Sequence, residues 1–302
     1  MQLTPLSERT QVVQDTNTLQ NQITQLQGEE ASGLTYTAPD QAPSTIVASM
    51  TLSQDVTTSG WNASNLTTAK QVLSTTSGAL ENMVQVVNQA SSLAVQASNS
   101  SNTVPGGLEA LAATAEGYVQ QFANLLNTQA NGVSVFAGAH PYAPVTTGTS
   151  ITNAPALGST AWSWQLPVQA QSSMTITANG YEAGIAPGST SVFQNTMGAL
   201  KGLVSAIHSQ HPSTAEAALT SVATQLNTLT TYVGAQAANV DTYIQQSHTA
   251  ATALKENLAT TTQVNLPNVL SQIAADTTAY QAALQSTGAL LQLSLWQNLT
   301  FP

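Results

Sequence analysis

The sequence predicts a mostly α-helical protein, an elongated antiparallel helical rod (a coiled-coil-like bundle) carrying a small β-rich insertion. Three observations carry that reading. Apolar residues recur at sevens on both sides of the chain's centre, the pattern of a narrow helical seam. The sevens stop between residues 141 and about 190, where Pro and Gly crowd and apolar residues alternate instead. Only 6% of the 302 residues are charged, while Ser and Thr make up roughly a quarter, so the helix surfaces must be finished with hydroxyls and amides.

The first seam holds Val12, Leu19 and Leu26 in one row, with Ile23 in the offset position. Gly28 and then Ser32-Gly33 read as its end, and the Pro39 to Pro43 stretch as a turn-rich linker spanning roughly residues 28 to 44. The strongest periodicity follows: Leu66, Leu73, Leu80, Val87 and Ala94 in one row, and Ala69, Thr76, Met83, Ala90 and Ala97 in the other. A helix from about Asn62 to Ala97 is on the order of 50 Å long at 1.5 Å per residue. Asn99 to Gly107 reads as a turn, after which Leu108, Leu111, Tyr118, Phe122 and Leu125 share the face of a helix that folds back.

Beyond His140 the helical signal is broken by Pro141, Pro144, Gly148, Pro155 and Gly158. Trp162, Trp164, Leu166 and Val168 alternate with polar residues or Pro, and Met174, Ile176 and Ala178 alternate ahead of Asn179-Gly180, a hairpin-turn dipeptide. The tryptophans read as core of a small β module, with a ligand surface as the lesser reading. Sevens return with Phe193, Leu200 and Ile207, then with Leu219, Leu226, Val233 and Val240 beside Val222 and Leu229. Pro267 interrupts them, and Leu270, Leu284 and Leu291 resume in one row, with Ile273 and Tyr280 in another. The plan is symmetrical about the insertion: residues 1–33 and 268–302 as paired terminal helices, 34–140 and 191–267 as a central bundle, and 141–190 as the insertion. Each narrow seam is marginal alone, so the two ends are expected to pair in space.

Charge and composition exclude several functions. The net charge is −10, and the four basic residues, Arg9, Lys70, Lys201 and Lys255, are too scattered to engage a phosphate backbone or an anionic membrane surface. No nucleic acid and no membrane is an expected partner. With no cysteine there are no disulfides and no thiolate chemistry. The first residues lack a basic region followed by an apolar run, so export by a cleaved secretory signal is not expected. Nucleophile-elbow, phosphate-loop and zinc-protease signatures are absent, and no enzyme activity or cofactor is expected. His208 and His211, at i and i+3, could share a helix face and a metal, but Pro212 follows and no third ligand is near, so a solvated helix end is the better reading. Glu29-Glu30, the one acidic pair, points in two directions on a helix.

Five segments resemble the flagellin family in order along the chain. Ser32 to Pro43 (SGLTYTAPDQAP) is similar to the family's T-G-K-R-I-N-S-P-x-D-D-P, and Ser92 to Asn99 (SLAVQASN) to its E-L-A-V-Q-A-x-N. Val133 to Gly138 (VSVFAG), Val233 to Asn239 (VGAQAAN) and Leu293 to Leu299 (LSLWQNL) resemble Y-L-F-A-G, V-G-A-R-x-N and K-L-S-L-F-x-x-L. The last three point to the hook-filament junction members, the hook-associated protein 3 type, more than to bulk filament flagellin. Leu34-Thr35 stands where the family has Lys-Arg, Gln41-Ala42 where it has Asp-Asp, and Gln236 where it has Arg, so salt bridges expected in relatives have no counterpart here.

The resemblance implies a non-enzymatic structural subunit of the bacterial flagellum, outside the cell. Its expected partners are further copies of itself in a homo-oligomer, other flagellar hook and filament proteins, and an export chaperone. The expected assembly interface is Val12, Leu19, Ile23, Leu26, Ile273, Leu284 and Leu291, left partly unsatisfied in the monomer and buried when subunits stack. Two alternatives stay open: filament flagellin, and a free secreted helical adhesin or effector whose β domain binds a ligand.

Overall fold

Helix α1 (Pro5–Ser32) ends where Gly33 takes the left-handed conformation, φ 70, with its N–H donating to the Glu29 carbonyl at 2.8 Å. That is the usual glycine stop one residue past a helix. Gly28, expected to end it, sits inside, because a helical glycine costs only about 1 kcal/mol unless a positive φ is demanded. The structure, a computed structural model, describes residues 5–36, 42–100, 106–136, 145–147, 150–151, 165–169, 172–176, 178, 180 and 190–299.

Helix α2 (Pro43–Ser100, 58 residues) starts far ahead of the expected Asn62. Its Pro43 occupies the first helical position, where a missing N–H is harmless. The early turns escaped notice because their inner stripe is built from Thr45, Ser49, Leu52, Val56, Ser59 and Ala63, mostly small or polar residues. Helix α3 (Gly107–Leu126) follows, and a two-residue turn joins strands β1 (Gln129–Ala130) and β2 (Val133–Ser134). Asn131 (φ 52) and Gly132 (φ 77) give that turn its left-handed pair.

Two further antiparallel pairs follow: β3 (Val145–Thr147) with β4 (Ser150–Ile151), and β5 (Gln165–Gln169) with β6 (Ser172–Thr175). The β5–β6 ladder ends with Gln169 opposite Ser172. Trp162, Trp164 and Asn179 lie outside the described residues.

Helix α4 (Val192–His208) opens on a capping box: Ser191 Oγ accepts from Gln194 N, and Gln194 Oε1 accepts from Ser191 N. A 3-10 turn (Pro212–Ala215) leads to α5 (Glu216–Thr262, 47 residues), and α6 (Leu266–Leu299) completes the chain. Pro267 does not interrupt a helix; it stands in the first turn of α6, and the break is at Gln263–Asn265.

The described chain divides into two compact units, residues 59–250 and residues 1–58 with 251–302. The first has a continuous dry core. All ten residues of the two long heptad rows are buried, with Leu66, Leu80, Val87, Thr76, Met83 and Ala90 wholly inaccessible. Phe193, Leu200 and Ile207 of α4 join them, as do Leu219, Leu226, Val233 and Val240 of α5. Helices α2 and α5 run antiparallel here, tied by Ser59 with Ser247 and by Lys70 with Asp241 at 2.7 Å. The buried stripe of α3 is Ala112, Ala115, Val119, Phe122 and Leu126, while Leu108, Leu111, Tyr118 and Leu125 line its rim. Bulk misled the sequence reading: α3 packs close to α4, and alanine, not leucine, lets helix axes approach.

Candidate assembly interface

In the unit formed by residues 1–58 and 251–302, the chain's two interruptions pair with each other. Thr35 N donates to Thr262 O at 2.9 Å and Val264 N to Gly33 O at 3.0 Å, flanking an antiparallel bridge between Leu34 and Gln263. Both breaks thus satisfy backbone groups that helix ends leave orphaned. They also set α6 against α1, and the two helices pack along their length.

The stripe of α1 that is turned inward contains Val12, Leu19, Ile23 and Leu26, all half-buried, with Thr16 between them. On α6 the inward stripe is Val269, Ile273, Tyr280, Ala283 and Thr287, and Tyr280 Oη reaches Gln20 Oε1 at 3.5 Å. The structure therefore brings Val12, Leu19, Ile23, Leu26 and Ile273 onto the paired surfaces. It does not bring Leu284 there: with Leu270 it faces outward, 47% and 49% exposed. Leu291 shares their heptad row along α6, and its side chain lies outside the described residues.

Among the described residues of this unit only Ser49 and Val269 are buried. A paired seam that stays half-wet leaves much of its apolar area unused, at about 25 cal/mol for each Å² still facing water. Large exposed apolar side chains also concentrate here, as Val13, Val47, Met50, Leu266, Leu270 and Leu284, against Trp61 and Val95 in the other unit. Sequence reasoning missed an open groove of about 600 Å³ lined by Leu34, Tyr36, Ser49, Met50, Gln54 and Leu258. The signal was present in Met50, an apolar residue outside the helix's inner register.

The candidate chemistry elsewhere is plain. Helix α4 ends at His208, whose Nδ1 lies 2.9 Å from Val204 O, and Gln210 (φ 60) turns the chain before His211. The two histidines therefore share no helix face. Among the described residues no three His, Asp or Glu stand close enough to hold a metal ion, and no helix is long and apolar enough to cross a membrane.

The chain is thus a helical protein of two units, one with paired terminal helices and an incompletely buried seam, the other with a dry helical core. Residues 6–140 match the family model of the bacterial flagellin N-terminal helical region. Bacillus cereus FlgL has a similar fold, with TM-score 0.51 at 19% identity over 68% of this chain and 97% of that one. A Vibrio parahaemolyticus protein described as a flagellar hook-associated protein also has it, with TM-score 0.57 at 12% identity over 74% and 99%. No curated protein sequence matches the chain. The N-terminal part of the chain is thus similar to the flagellin N-terminal helical region, and the chain shares its fold with these two structures.

Proposed function

We propose that this chain is the subunit that joins hook to filament, polymerising through its N- and C-terminal helices. Residues 1–33 and 268–302 form the assembly module, 34–140 with 191–267 the body, and 141–190 an insertion. The observation that carries the reading is that the terminal helices share no dry core among the described residues. Val12, Leu19, Ile23, Leu26 and Ile273 pair but remain half-exposed, and Leu284 points outward. Stacking of copies would dehydrate the half-used seam, with Leu284 and Leu291 supplying its outer row. The motifs of the junction type at Val133, Val233 and Leu293, and the hook-associated description of a protein with the same fold, support the junction role over bulk filament. Partners are then further copies, hook and filament proteins, and a chaperone that covers the terminal helices before export.

The test is to present the purified chain to hook fragments and then to add filament flagellin. Short terminal zones on hook ends, from which flagellin elongates, are expected. Long filaments made from this chain alone would favour filament flagellin, and a chain that never associates would favour a free secreted protein.

A further inference from the structure

The groove beside the paired chain breaks has a composition that selects its occupant. Leu34 and Tyr36 supply one wall, Met50 and Gln54 of α2 another, and Leu258 of α5 a third, and no lining residue is charged. Tyr36 Oη and Ser49 Oγ are 3.3 Å apart and satisfy each other, leaving the wall between them apolar. Leu34 stands where the flagellin pattern has Lys, so the apolar character belongs to this chain. From Ser49 to Thr57 the groove follows α2 for about 12 Å, roughly two helical turns.

An acidic or basic partner finds no counter-charge here. The matching surface lies on the same unit: Leu266 and Leu270, 44% and 49% exposed, stand one turn apart on α6, whose only charged residue is Asp276. Two leucines at i and i+4 make a ridge about 6 Å in step, short enough to seat within the groove. We propose that this groove receives the Leu266–Leu270 ridge of α6 from a second copy of the chain. The inference deepens the polymerisation reading and rests on it. A single such contact falls well short of the roughly 1,000 Å² that a stable pair needs. It therefore holds copies only when repeated along an assembly, and the dilute chain stays monomeric.

The absence of cysteine makes the test direct. Met50→Cys is placed in one preparation and Leu270→Cys in another; both side chains are exposed, so the fold is unaffected. The two are mixed, assembled on hook fragments and mildly oxidised. A disulfide-linked dimer that forms in the assembled mixture, and is at least tenfold weaker in either variant alone, is the expected result. Assembly without the cross-link, or an equal cross-link with Met50→Cys alone, overturns the groove while leaving polymerisation standing. Failure of the wild-type chain to assemble overturns both. In parallel, Ser53→Trp, which fills the groove from an exposed position, should lower the assembled fraction about tenfold at unchanged melting temperature; unchanged assembly contradicts the proposal.

Discussion

Leu80 sits in the middle of the longest heptad row and is wholly inaccessible. Leu80→Ala should therefore cost about 2–5 kcal/mol in denaturant unfolding, the transfer term plus a cavity in a close-packed core. A change within about 0.5 kcal/mol, the range of surface substitutions, would contradict the assigned burial. Gly180 makes a second residue-level test. Its φ is 78, and a Cβ there would lie 3.0 Å from Phe193 Cδ2 and 3.1 Å from Ser191 Cβ. Phe193 is itself pinned edge-on to Phe136, centroids 5.1 Å apart. Gly180→Ala should lose about 1–3 kcal/mol through strain and displacement, and an unchanged melting temperature would mean the ring can yield. Residue identity in the core was readable because leucine and valine at sevens leave few alternatives. It was less readable on α3, where alanines bury and leucines form the rim, since alanine carries almost no hydropathic signal. The Asn131-Gly132 turn carries the same dipeptide signal as Asn179-Gly180, but it directly follows a strong helical pattern and was not picked out from the sequence.

At the scale of elements, the terminal helices should be separable from the core of residues 59–250. Deleting residues 1–30 or 272–302 removes one side of the α1–α6 pair but touches no residue of that core. Calorimetry should show its transition nearly intact, while electron microscopy on hook fragments shows no incorporation; a truncated chain that still assembles contradicts the interface. The pairing of terminal helices was legible from their matched narrow seams. Which leucine row of α6 turns inward was not, because Leu270 and Ile273 lie three residues apart and either can sit in a heptad seam. Packing against α1 settles the choice by admitting Tyr280, Ala283 and Thr287 and leaving the leucines outside. The early turns of α2 gave little signal for a related reason: their inner positions hold the buried Ser49 and the half-buried Ser59, which show no apolar pattern.

For the whole molecule, charge predicts how acid acts. The net charge is −10 at pH 7, and Lys70–Asp241, with both side chains about half exposed, is the one ion pair among the described residues. Exposed pairs contribute at most about 1 kcal/mol, so little stability is lost when carboxylates take up protons. Lowering the pH toward the isoelectric point near 4.4 meanwhile removes self-repulsion, which favours the folded state. The melting temperature should stay level or rise between pH 7 and pH 4. A fall above about 10 °C, on the order of 3 kcal/mol for units of this size, contradicts that balance. The central claim is that the terminal seam is half-open in the single chain and closes on assembly. Hydrogen exchange, read helix by helix on the monomer and on the assembled form, tests it most directly. The account predicts fast exchange in α1 and α6 of the monomer, strong protection of both after assembly, and protection of Leu66 to Ala97 that is high in either state. Equal and high protection of α1 and α6 before and after assembly would contradict it.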